Sequence, residues 1–284
     1  MATFFNRATL SYNGTITDSN IVTGELLEVL SASKDTLSDT YGTNDTITYI
    51  ITIVNSGQSA FSGLTVTDNL GSYIYNGTPL VPLTYVDGSA RYYTNGVLQA
   101  APVVTTGPSL TISGINVPAN GNIVLLYEAR TNSFATPATD GVITNIATIS
   151  GSGLSTPIEV TSTISAQETA LLSISKSICP ETVVENGEIT YTFVIQNSGN
   201  QPATTDDVVV VTDSFDPILN PISVEFNGTT WTEPTNYTYD TTTGFFQTVP
   251  GQVTVPAATY TRDETTGQWI VSPGTSVLRI TGTV

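Results

Sequence analysis

The chain carries two lysines, Lys34 and Lys176, among 7 basic and 24 acidic residues. Solvated lysines ordinarily scatter over a surface, so two at equivalent places and none elsewhere imply a specific task for the amine. Each is followed by the same short run, Val66-Thr67-Asp68 in one case and Val211-Thr212-Asp213 in the other. Burial disfavours the charged form of a lysine, and a neutral amine is a nucleophile. Such an amine can attack the carboxamide carbon of an asparagine, expel ammonia and leave an isopeptide bond. Burial also favours the protonated form of a carboxyl group, which suits it to relay the protons. The asparagines in the right repeat position are Asn145 and Asn6. The expected bonds are Lys34–Asn145 with Asp68 as the relay, and Lys176 with Asp213 joined to Asn6 of a neighbouring molecule. Glu128 is a weaker relay, because its counterpart falls on Thr281. The same residues admit a plainer role, as buried ion pairs beside asparagines that satisfy backbone groups.

Those side chains are positioned by an internal repeat. The segment SASKDTLSDTYGTNDTITYIITIVNSG (31–57) is answered by SISKSICPETVVENGEITYTFVIQNSG (173–199), with the lysines, Asn44 and Asn186, Tyr49 and Tyr191, and Asn55 and Asn197 all 142 residues apart. Further on, VPANGNIVLLYEA (117–129) is answered by SPGTSVLRITG (272–282). Thr, Val, Ile and Tyr recur in short runs broken by Asn-Gly, Asp-Gly, Ser-Gly and Pro, which predicts strands joined by tight turns and little helix. The expected fold is all-β: two tandem immunoglobulin-like β-sandwiches, one over 16–152 and one over 153–284, preceded by a donor strand over 1–15.

The copies differ at their ends. The first continues into VITNIATISGSG (142–153), an alternating strand with Ile143, Asn145, Ala147 and Ile149 on one face. The second has no such segment before Val284. A match stands at the other end of the chain, where TFFNRATLSYNG (3–14) places Asn6 on Asn145, Ala8 on Ala147 and Leu10 on Ile149. Its inward face would be Phe4, Asn6, Ala8 and Leu10. A sandwich with an unpaired edge invites a strand from another molecule, and donor and acceptor at opposite ends of a chain propagate head to tail. The expected partner is therefore the protein itself, and any anchoring protein is unknown.

Composition narrows the alternatives. A formal charge of −17 disfavours nucleic acid and anionic membrane surfaces. With no histidine, Ser-His and Cys-His catalysis are excluded, and zinc and haem lose their usual ligands. No metal, cofactor or enzymatic activity is expected, and the single Cys179 has no internal disulfide partner. The opening residues lack the basic and apolar regions of a secretory signal, and no apolar run approaches transmembrane length. The competing expectation is a surface adhesin or glycan-binding module that uses loops at the sandwich ends.

The pattern from Lys34 through Asn44, Ile47-Thr48-Tyr49 and Asn55-Ser56-Gly57 to Asp68, repeated from Lys176 to Asp213, resembles the bacterial surface repeat known as domain of unknown function eleven. That resemblance implies immunoglobulin-like sandwiches used as spacers outside the cell. Two such repeats in a chain of this size, without a secretory signal, are similar to the ribbon-forming appendage subunits of clostridial spores. This narrower likeness implies release from a lysing mother cell rather than export. Lys–Asn bonds between first and last strands resemble those of Gram-positive pilins.

Overall fold

The computed structural model describes residues 2–284. They are almost entirely β-strand and loop, with a single 3-10 turn at Thr205–Asp207. The chain forms two units. The first contains residues 1–39, 44–132 and 143–164; the second contains 40–43, 133–142 and 165–284. The first therefore extends to Ile164, beyond the boundary expected at 152, because strand Ile158–Ala166 continues the sheet that Val142–Ser150 enters.

In the first unit, one sheet runs in the order Val97–Leu98, Arg91–Thr94, Gly121–Thr131, Thr46–Asn55, Leu30–Thr36. The other begins Val103–Thr105, Leu110–Val117, Phe61–Asp68, Val142–Ser150, Ile158–Ala166. Period-two alternation decides which residues face inward. Along TITYIITIVN, Ile47, Tyr49, Ile51 and Ile53 are buried. Along FSGLTVTD, Leu64, Val66 and Asp68 are buried. On VITNIATIS, the buried residues are Ile143, Asn145, Ala147 and Ile149, as the alternation predicts.

The second unit repeats the first sheet with Leu172–Cys179 at its edge, followed by Glu188–Asn197, Gly274–Thr283, Ile222–Phe226 and Thr229–Trp231. Its core includes Phe193, Ile195, Phe215, Val224, Phe246 and Leu278. Opposite lies the short sheet Thr212–Ser214, Phe245–Thr248, Tyr237–Asp240. In the first unit the aspartate strand has a neighbour on both sides; here Thr212–Ser214 pairs only with Phe245–Thr248 among the described residues. No counterpart of Val142–Ser150 lies against it. The lysine strand Leu172–Cys179 is exposed along its whole length, whereas Leu30 and Lys34 of Leu30–Thr36 are buried.

The N-terminal segment is more than one strand. Ala2–Asn6 pairs antiparallel with Val22–Leu26, and Thr9–Tyr12 pairs with Thr15–Asp18 across an Asn13-Gly14 turn. The expected donor element over 1–15 is thus one half of a two-stranded ribbon that runs to Leu26. Its four expected inward residues are Phe4, Asn6, Ala8 and Leu10, and all are exposed.

Candidate cross-linking site

Lys34 projects from the edge strand of the first sheet, opposite Ile51. Asp68 ends its strand in the facing sheet, paired with Ala147, so Asn145 lies two residues along on the same face. Both Lys34 and Asp68 side chains are almost fully enclosed, at 0% and 1% exposure. Lys34 Nζ donates to Asp68 Oδ2 at 2.6 Å, and the Tyr127 hydroxyl donates to the same oxygen. Asn145 Nδ2 donates to the Tyr127 hydroxyl at 3.5 Å. Amine, carboxylate and carboxamide are therefore linked through Asp68 and Tyr127.

The other carboxylate oxygen accepts from Leu70 N–H at 2.8 Å. The Gly71 N–H divides between Asn69 Oδ1 at 2.9 Å and Asn145 Oδ1 at 3.3 Å. This fixes the Asn145 carbonyl toward the tight turn after Asp68 and its amino group toward Tyr127. Gly71 has φ +72°, and a Cβ there would meet Ile143 Cγ2 at 2.5 Å, so no other residue fits the turn unstrained.

The floor of the site is aromatic. Tyr49 and Tyr127 are cross-strand partners with stacked rings 5.3 Å apart, and Lys34 Nζ lies 5.0 Å from the Tyr49 centroid. Burial lowers the Lys34 pKa from 10.5 to about 8, against the opposing pull of the Asp68 carboxylate. Burial likewise pushes the Tyr127 hydroxyl well up, with the neighbouring Asp68 charge adding to the effect. The amine is thus far easier to obtain in neutral form than a solvated lysine.

The second unit builds half of this arrangement. Lys176 Nζ donates to Asp213 Oδ2 and lies 4.4 Å from the Tyr191 centroid, with Phe193 and Phe215 rings nearby. This pair is less enclosed, with the Lys176 side chain 39% exposed and that of Asp213 17%. Ile280 stands opposite Tyr191 where Tyr127 stands opposite Tyr49, so Asp213 has no second hydroxyl donor from that strand. Asp216 occupies the place of Gly71 in the run after the aspartate. Asn6 ends strand Ala2–Asn6 and faces Val22 across the ribbon.

Lys34, Asp68 and Asn145 lie together in the first unit, and Lys176 and Asp213 in the second. Glu128 points the other way from Tyr127 on its strand and takes no part. The sequence alone does not mark Tyr127 as part of the site. Its signal was present in the NIVLLYEA alternation, one residue before Glu128 and on the inward side.

No protein-family model matches the chain, and no curated protein is similar to it. Several solved structures are. The major pilin subunit BcpA of Bacillus cereus is 13% identical, with a TM-score of 0.36 over 98% of this chain and 74% of the pilin. The pilus backbone RrgB of Streptococcus pneumoniae is 11% identical, with a TM-score of 0.35 over 86% of this chain and 55% of that protein. Red sea bream transglutaminase is 13% identical, with a TM-score of 0.29 over 91% of this chain and 27% of the enzyme.

Proposed function

We propose that this protein is a structural subunit of an extracellular filament, a bacterial surface or spore appendage. It polymerises head to tail when the N-terminal segment of one molecule completes the open sheet of the next molecule's second unit. The observation that carries this reading is the contrast between two equivalent sites. Lys34 and Asp68 are enclosed beside Asn145 on its own strand. Lys176 and Asp213 are paired but less enclosed, with Lys176 exposed, and no asparagine strand lies beside them among the described residues.

In the completed site the chemistry is balanced. The neutral Lys34 Nζ bonds to Asn145 Cγ, the Cγ–Nδ2 bond breaks, and the proton lost by the amine passes through Asp68 to the departing nitrogen, which leaves as ammonia. No oxidant or cofactor takes part, and the role is structural rather than enzymatic. At the junction between molecules, Lys176 would bond in the same way to Asn6 of the neighbour, with Asp213 as the relay.

The test is electrophoresis in hot SDS with intact-mass measurement. The wild-type chain is expected to give a ladder, with the mass of one ammonia missing for each bond formed. Lys176→Arg is expected to keep fibres by electron microscopy but abolish the ladder. Removal of residues 2–14 is expected to abolish both. Normal fibres from the truncated chain would refute the head-to-tail reading, and an unchanged ladder from Lys176→Arg would refute the cross-link at the junction.

A further inference from the structure

The filament reading needs a donor, and the simplest donor is one strand. We infer that the docking element is instead the whole two-stranded ribbon, Ala2–Leu26, which enters the neighbour as a preformed hairpin and brings its own outer strand. This rests on the proposed head-to-tail assembly and specifies its interface.

Three observations lead there. First, the ribbon is held along its length rather than only at its turn. Arg7 and Asp18 form an ion pair at 3.1 Å, Thr9 Oγ1 donates to Asp18 Oδ1 at 2.9 Å, Ala8 N–H donates to Ser19 Oγ at 2.9 Å, and Ser19 N–H donates to the Ala8 carbonyl at 2.8 Å. These contacts bridge the interruption at Arg7-Ala8, where the strand pairing shifts register. The Phe4 ring covers Gly24 so closely that a Cβ there would meet Phe4 Cζ at 2.3 Å. A larger residue at Gly24 would push the Phe4 ring off that cross-strand seat. Peeling Ala2–Tyr12 away alone would break all of these contacts.

Second, the ribbon presents apolar residues that nothing in its own pairing covers. Phe4 is 56% and Leu10 64% exposed, and Phe5, Tyr12, Ile16 and Val22 are similarly open. A two-stranded hairpin is marginal in water by itself, so open apolar side chains on it call for a partner surface. The complementary surface is the second unit's exposed strand Leu172–Cys179, with Ile174 and Ile178, and the open edge of Thr212–Ser214.

Third, the first unit shows what a completed sheet looks like. Beyond its aspartate strand lie two strands, Val142–Ser150 and Ile158–Ala166, joined by a short connection. The second of these leads within a few residues to the next lysine strand at Leu172. The ribbon has the same plan, since its outer strand ends at Leu26 and the lysine strand begins at Leu30. A hairpin donor reproduces both added strands, whereas a lone strand would leave a new unpaired edge.

The experiment locks the hairpin. Phe5 and Thr23 are paired across the ribbon and lie off the face that carries Phe4 and Asn6. The full chain with Phe5→Cys and Thr23→Cys, in a Cys179→Ser background, is compared oxidised and reduced, alongside a second pair, Thr3→Cys with Glu25→Cys. Polymerisation is followed by light scattering and by the SDS ladder. If the ribbon docks whole, oxidised and reduced chains assemble at rates within about twofold of each other. Assembly at least tenfold slower when oxidised, restored by reductant, would overturn the hairpin donor and leave the filament reading standing. Absence of fibres and ladder from the Cys179→Ser parent itself would instead remove the filament reading, and the hairpin donor with it.

Discussion

A bond between Lys34 and Asn145 closes a loop of about 110 residues, which constrains the unfolded chain much as a disulfide does. The loop-entropy estimate for that length is about 5 kcal/mol. A double-mutant cycle isolates it. Lys34→Met and Asn145→Ala each remove the bond, and each also carries its own local cost: an unpaired Asp68 in the first, a vacated carboxamide pocket in the second. The double variant incurs both local costs but loses the bond only once, so the coupling energy is the bond's own contribution. Without a bond, the two side chains are linked through Asp68 and the tyrosines around them, and coupling through such a shared network runs to about 0.5–3 kcal/mol. The assay is equilibrium urea unfolding of the full chain, following the transition assigned to the first unit, with intact mass recorded on the same samples. For a unit of this size, 5 kcal/mol corresponds to a fall of roughly 10–20 °C in the melting temperature of either single variant, before local costs are added. A coupling below about 2 kcal/mol, together with a wild-type mass that retains its ammonia, would refute the bond and leave a buried ion pair.

Two further outcomes follow from the same geometry. In Asn145→Ala, the unbonded Lys34 amine titrates near 8 in the folded chain and near 10.5 when unfolded, so the unfolded state holds more protons between those values and stability rises with pH. Denaturant midpoints should report a gain of about 2 kcal/mol between pH 7.5 and 9.5, absent from the bonded wild type, before the buried tyrosines reverse the trend at higher pH. Gly71→Ala places a methyl against Ile143 and displaces the N–H that steers Asn145, so refolding chains followed by mass should form the bond at least tenfold more slowly.

Much of this was legible in the sequence because period two leaves little freedom. Once Asn145 is placed inward, Ile143, Ala147 and Ile149 follow, and the order of lysine, Ile-Thr-Tyr, Asn-Ser-Gly and Val-Thr-Asp is written twice, with the lysine-to-aspartate separation 34 residues in one copy and 37 in the other. Tyr127 was harder to see because its importance depends on the facing sheet: nothing local distinguishes it from the alternating apolar residues around it. Glu128 stands out in the sequence as an acid, yet the strand's pleat turns it outward. The outer strand of the ribbon was missed for a related reason. Thr15–Leu26 lacks clean alternation, and its pairing is set by the Asn13-Gly14 turn and by the Phe4–Gly24 seat rather than by a hydrophobic face. The longer reach of the first unit had the same origin, since Ile158–Ala166 is an outer strand with three buried residues.

In the proposed filament, the 39% exposure of the Lys176 side chain would give assembly an order of events. While water reaches that amine, an encounter between two molecules is reversible, and a badly seated neighbour can leave without consequence. A ribbon that docks in register excludes solvent and recreates the enclosure found around Lys34. Under the proposed assembly, the irreversible step would fall only on junctions already formed correctly, so a growing fibre would proofread each addition before making it permanent.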